Sequence, residues 1–176
     1  MREIKIVYGK TGTGKSFYVK SIIDKLERVI IIDPKSEYEG TIFFTLSDLI
    51  DYFENIRPKN FKISCRFESD IEIELLFKFC NIIENVTLVV EEAEIYISPY
   101  SKSSNFLDLC RYGRHHNISI IGVARRTAEL SINFRSLVTE IISFKQTEPL
   151  DLKNMEKLGL YNLDTLADFK FSSIRP

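Results

Sequence analysis

Eight residues near the start of the chain, Gly9-Lys10-Thr11-Gly12-Thr13-Gly14-Lys15-Ser16, match the pattern G-x-x-x-x-G-K-[ST]. Glycine at 9, 12 and 14 frees the backbone for dihedrals that a Cβ forbids, so that successive N–H groups can turn toward one anion. The chemistry that needs such a loop is phosphate binding. Its N–H groups, with the positive end of a following helix, cradle the α- and β-phosphates of a nucleotide. Lys15 then reaches the β- and γ-phosphates, and the Ser16 hydroxyl binds Mg²⁺. The predicted nucleotide contacts are Gly9, Lys10, Thr11, Gly12, Thr13, Gly14, Lys15, Ser16 and Phe17, with ATP and Mg²⁺ as the ligands. Four specified positions recur by accident in about one chain in a hundred of this length. Here an apolar run precedes the loop and a helical period follows it, which the mechanism requires and chance does not.

A second chemical element is Thr87-Leu-Val-Val-Glu91-Glu92, an apolar run ending in two carboxylates. Glu91 is expected beside the metal, through its water shell, and Glu92 beside the water that attacks the γ-phosphate. The plainer alternative is that acids often mark the solvated end of a strand, and Glu94 is read in that way. A water activator tilts the reaction toward hydrolysis. A small-molecule phosphotransferase would need an acceptor pocket and a lid, and no arginine-rich lid insertion is evident. A nucleotide-dependent switch with negligible turnover is the third reading.

Between Leu109 and Ala128 lie Arg111, Arg114, Arg125, Arg126, His115 and His116 with no carboxylate. A strand over 118–123 splits the stretch. It leaves Arg111 and Arg114 before the strand and Arg125 and Arg126 after it, on the rim where ligands of open α/β sheets gather. Arg111, Arg114 and Arg125 are the catalytic candidates, as a γ-phosphate sensor or as a finger offered to a neighbouring subunit. The sequence does not choose among them. The histidines read as helix-end or surface residues.

The elements that must hold these groups are legible as alternating periods. Nearly continuous apolar runs predict strands over 4–8, 29–32, 87–90, 118–123 and 141–144, each covered on both faces. Residues 61–67 alternate like a half-exposed strand nearer an edge, and 41–44 is ambiguous. Helical periods fall over 16–27, 47–54, 71–83, 106–112 and 150–158. Strands alternating with helices predict an open α/β sheet with helices on both faces, in a single domain spanning 1–176. Residues 98–105 read as a mobile loop, whose Lys102 becomes a weak pore-contact candidate only under the ring-forming resemblance given below, and 168–176 as an edge strand or a subunit contact.

Composition sets outer bounds. The 176 residues, 44% hydrophobic and 28% charged, suffice for one core. No stretch approaches the roughly 18 apolar residues of a membrane span. The first apolar run ends in glycine after five residues, unlike a signal peptide, which predicts a cytoplasmic protein. Cys65, Cys80 and Cys110 are too scattered for a zinc site and read as buried thiols. A net charge of −1 argues against coating DNA by bulk electrostatics, though not against a local basic patch.

In this order the motifs resemble the FtsK–HerA superfamily of DNA-pumping ATPases. Ile30-Ile-Ile-Asp33-Pro34-Lys35-Ser-Glu37-Tyr38 is similar to the second-strand "DPKGEY" signature of HerA-like proteins. Glu91-Glu92-Ala93 falls where the family has Asp-Glu-Ala, and Gly113-Arg114-His115-His116-Asn117-Ile118…Ala124-Arg125-Arg126-Thr127 parallels "GRHxxI…TQRP". The resemblance covers roughly residues 3 to 145. It implies a three-layer P-loop NTPase fold of the RecA/ASCE type and a homo-oligomeric ring, commonly a hexamer. Such rings thread double-stranded DNA through a central pore. The compact size looks most like the viral branch that packages genomes into capsids, in the host cytoplasm or the virion. Capsid or membrane-vertex proteins are then implied partners. Two departures stand out: Glu91 replaces the usual Asp, and Arg125 stands where the family generally has a sensor Gln.

Overall fold

The computed structural model describes residues 2–100 and 103–176, so Lys102 lies outside the described residues. Eight strands form one sheet: β1 (Ile4–Tyr8), β2 (Arg28–Ile32), β3 (Thr41–Phe43), β4 (Phe61–Cys65), β5 (Thr87–Val90), β6 (Ser119–Ala124), β7 (Glu140–Ser143) and β8 (Ser172–Ile174). Their order is β3-β4-β2-β5-β6-β1-β7-β8. Every neighbouring pair is parallel except β7 with β8. β1, β2, β5, β6 and β7 therefore end on one rim. The chain leaves that rim at Gly9, Asp33, Glu91, Arg125 and Phe144.

The apolar runs are continuous because both faces of the sheet are covered. Alternate residues sort between them: Ile4, Ile6 and Tyr8 join one cluster, while Val7 joins the other. The first face carries α2 (Leu46–Ile56), α3 (Asp70–Ile83), α5 (Ser104–Tyr112) and α7 (Pro149–Lys157), with short α4 (Glu94–Ile97) and α6 (Ile132–Arg135). Phe77, Phe106 and Phe134 meet beneath them, with ring centroids 4.8 and 5.7 Å apart. Among the described helices only α1 (Lys15–Ile23) covers the second face, through Val19 and Ile23. The expected three layers form, with very unequal outer ones.

The long predicted elements match within a few residues at their ends, and 168–176 does supply an edge strand. One reading is corrected. Residues 61–67 do supply a strand near an edge, β4 being second in the sheet, but it is not half-exposed: β3 and β2 flank it and only Lys62 is partly open. Of the polar residues that suggested a solvent face, Ser64 is buried with its hydroxyl unpartnered among the described residues, and the other two are bonded instead. The Lys62 amine reaches the Asp24 carbonyl at 3.0 Å, and Arg66 just beyond the strand pairs with buried Asp33 at 3.2 Å. Cys65, Cys80 and Cys110 are buried free thiols, as predicted. Among the described residues no helix is long and apolar enough to cross a membrane.

Candidate nucleotide-hydrolysis site

β1 delivers the chain into the glycine loop, and α1 starts directly from it. Thr45 and Ser103 cap α2 and α5 with side-chain oxygens, whereas α1 begins at Gly14 with no side-chain cap. The first N–H groups of α1 are thus left for a ligand. Gly14 sits at φ 105°, and a Cβ there would lie 2.7 Å from the Phe169 ring, so both conformation and space demand glycine. Thr13 Oγ1 donates to the Lys10 carbonyl at 2.8 Å and pins the loop. The Lys15 amine folds back onto the carbonyls of Gly9 (2.7 Å) and Lys10 (2.9 Å). Burial lowers its pKa, and Glu91 and Glu94 oppose that shift.

A cavity of about 320 Å³ opens above the loop on the carboxyl rim. It is large enough for the phosphates of a nucleotide, and the donors around it suit an anion. Both predicted acids line it, with different surroundings. Glu91 is buried and accepts a hydrogen bond from the Tyr38 hydroxyl. Burial pushes its carboxyl up to about 7, against the opposing effects of Tyr38 and Lys15. Glu92 sits in the left-handed region at φ 49°. Its Oε1 is held by Lys35 Nζ at 2.6 Å and Arg125 Nη2 at 2.7 Å. Burial alone would raise the Glu92 carboxyl, but these two ion pairs outweigh it and keep it below the ordinary range.

Thr11, Gly12, Gly14, Lys15, Ser16 and Phe17 face this cavity together with Glu91, Glu92 and Arg125. Gly9, Lys10 and Thr13 complete the loop beneath it, and a Cβ on Gly9 would meet that of Phe144 at 2.7 Å. Arg126 points elsewhere: its Nε pairs with buried Asp151 at 2.8 Å and fastens α7 to the rim. Arg111 closes α5, and Arg114 lies in the 3₁₀ turn Gly113–His116 that precedes β6. They are on the amino rim, a β6 length or about 20 Å from the cavity. The structure does not bring Arg111 and Arg114 to this site. His116 bonds Glu84 at the surface, 2.9 Å apart.

Glu94 is a correction. Its side chain is only 15% exposed, and it lines the cavity rather than facing bulk solvent. It lies 3.6 Å from Arg125 through Oε1, and its buried Oε2 has no partner among the described residues. Burial raises its carboxyl. Two further residues were missed. Lys35 stood inside the second-strand signature without a role. Phe169, far along the chain, donates its N–H to the Thr13 carbonyl at 3.0 Å and faces Phe17 edge-on at 6.0 Å. Its φ of 61° is a tertiary feature with no local sequence signal.

Comparison with known proteins agrees with this geometry. The family profile described as "Helicase HerA, central domain" matches residues 6–156. No curated protein matches the chain. Among solved structures, the genome packaging NTPase B204 from Sulfolobus turreted icosahedral virus 2 in complex with AMP is similar, with a TM-score of 0.81 at 19% identity. That match covers 99% of this chain and 92% of that one. The same protein with AMPPCP gives 0.79 at 19% identity over 99% and 98%. The N-terminal domain of zonular occludens toxin from Neisseria meningitidis gives 0.58 at 17% identity, over 84% and 78%. With a glycine loop, a paired-acid strand end and an arginine after β6 gathered on one rim of such a fold, the chain belongs to the HerA central-domain family of the FtsK–HerA superfamily.

Proposed function

We propose that this protein is the ATP-hydrolysing subunit of a motor that moves double-stranded DNA, acting to package a viral genome into a capsid. The observation that carries the hydrolytic part is Glu92, a carboxylate on the far wall of the cavity that Lys15 enters from the glycine loop. An acid held there can accept the proton of a water attacking the γ-phosphate. Lys15 and the N–H groups of α1 bind the phosphates, and Arg125 adds positive charge where negative charge builds up. Ser16 would hold Mg²⁺, and the Glu91 oxygen not taken by Tyr38 would hold a water of the metal's shell. When bound, the metal neutralises the triphosphate and orients it.

The DNA-moving part is supported by membership of the HerA family and by the shared fold with a packaging NTPase over 99% of this chain. In a homo-oligomeric ring, Arg111 or Arg114 on the amino rim of one subunit could serve only a neighbour's cavity. The test is phosphate release with ATP and Mg²⁺, with and without double-stranded DNA. Glu92→Gln should abolish release and spare ATP binding. Hydrolysis indifferent to DNA of every length, or phosphate found on an acceptor instead of in solution, would overturn the proposal.

A further inference from the structure

The turn 33–38 between β2 and β3 sends one side chain to each of the paired acids. Asp33 is wholly buried and accepts the N–H groups of Glu37 (2.8 Å) and Tyr38 (3.2 Å). Arg66 pairs with the same carboxylate and donates to the Tyr38 carbonyl at 2.9 Å. Side-chain bonds therefore fix the shape of the turn. The Tyr38 hydroxyl reaches Glu91, and the Lys35 amine reaches Glu92.

Of the two side chains that reach the acids, Lys35 is the more open. Its side chain is 47% exposed and lines the phosphate cavity, where Lys15 senses both Lys35 and Arg125 as like charges. With two cations on Oε1, the Glu92 carboxylate is weakened as an acceptor for the proton of a water molecule. A γ-phosphate offers three oxygens and more charge than a single carboxylate, so it competes for an amine already in the cavity. Lysine suits such an exchange, being a point charge on a flexible stem with three rotatable donors.

We propose that Lys35 is a γ-phosphate contact that doubles as a latch on Glu92. It holds the carboxylate when no triphosphate is present and transfers to the γ-phosphate when ATP binds, which removes one of the two cations from Glu92 and makes it a stronger acceptor for the attacking water's proton. A diphosphate lacks the group that draws Lys35 away, so Glu92 keeps both cations after hydrolysis. This deepens the hydrolytic reading above and rests on Glu92 as its water activator.

The test is equilibrium binding of ATP and ADP with Mg²⁺ to the full chain, comparing wild type with Lys35→Met and Lys35→Arg. Met keeps the apolar stem and removes the charge. Lys35→Met should weaken ATP about tenfold, the factor for one charge-assisted hydrogen bond, and leave ADP within about twofold. Lys35→Arg should recover most of the loss. Equal weakening of both nucleotides, as from a merely structural defect, would overturn the latch, and so would no weakening of either. Absence of binding by the wild-type chain would remove the nucleotide site itself and this proposal with it.

Discussion

Glu91 imposes a folding cost that a single substitution should relieve. Its carboxyl is raised from an ordinary 4.5 to about 7, chiefly by burial. Between those values the folded chain holds a proton that the unfolded chain releases, so stability falls as pH rises through this window and levels off above it. At about 1.4 kcal/mol for each tenfold change in proton affinity, the whole window corresponds to about 3 kcal/mol. Glu91→Gln keeps an oxygen for the Tyr38 hydroxyl and has no carboxyl to titrate. Urea unfolding of both proteins at several pH values should show a difference near its minimum at pH 4.5. The variant should then gain steadily to about 3 kcal/mol by pH 8. A difference that stayed flat across this range would refute the reasoning, because a packing effect of the amide would not follow pH. The variant should also lose hydrolysis, so that stability and activity move in opposite directions.

Two further outcomes test the frame around the site. Fully buried Asp151 accepts the N–H (3.0 Å) and Oγ1 (2.8 Å) of equally buried Thr127, and Nε of half-exposed Arg126 at 2.8 Å. Asp151→Ala strands those donors and should cost about 2–4 kcal/mol in urea unfolding, and a loss below about 1 kcal/mol would contradict the anchoring role of α7. Arg125 helps hold the Glu92 carboxyl below its ordinary range, so Glu92 stays ionised as pH falls through that range. Arg125→Ala should move the acidic limb of kcat/KM to higher pH; an unmoved limb would show that Glu92 does not set it.

The glycine loop, the acidic strand end and the buried strands could be read directly, since each depends on residues close together in the chain. Burial on both faces writes itself into β1, β2 and β5 as nearly continuous apolar runs, broken in β1 only by Lys5. The reading failed where a polar residue finds its partner far away. Lys62 and Arg66 resembled a solvent face because Asp24 and Asp33 lie more than thirty residues earlier. Glu94 was read as solvated, yet α4 turns it back over the cavity. Four-residue helices such as α4 and α6 are shorter than the period that would reveal them. Phe169 came to the loop through tertiary packing, which local pattern cannot foresee. The second-strand signature was visible as a string, but its sense emerged only when Tyr38 and Lys35 were seen to reach different acids.

The sheet's outermost strands, β3 and β8, are each three residues long. So short a margin exposes too few unpaired N–H and C=O groups to template another chain. Prolonging the hydrogen-bonded ladder, the mode of contact that most readily becomes permanent, is thereby disfavoured for a second copy of this protein. In the ring proposed above, subunits would meet through side chains on the rims and helix layers. Contacts of that kind can loosen and re-form with each nucleotide consumed, so the brevity of two marginal strands favours a machine over a fibre.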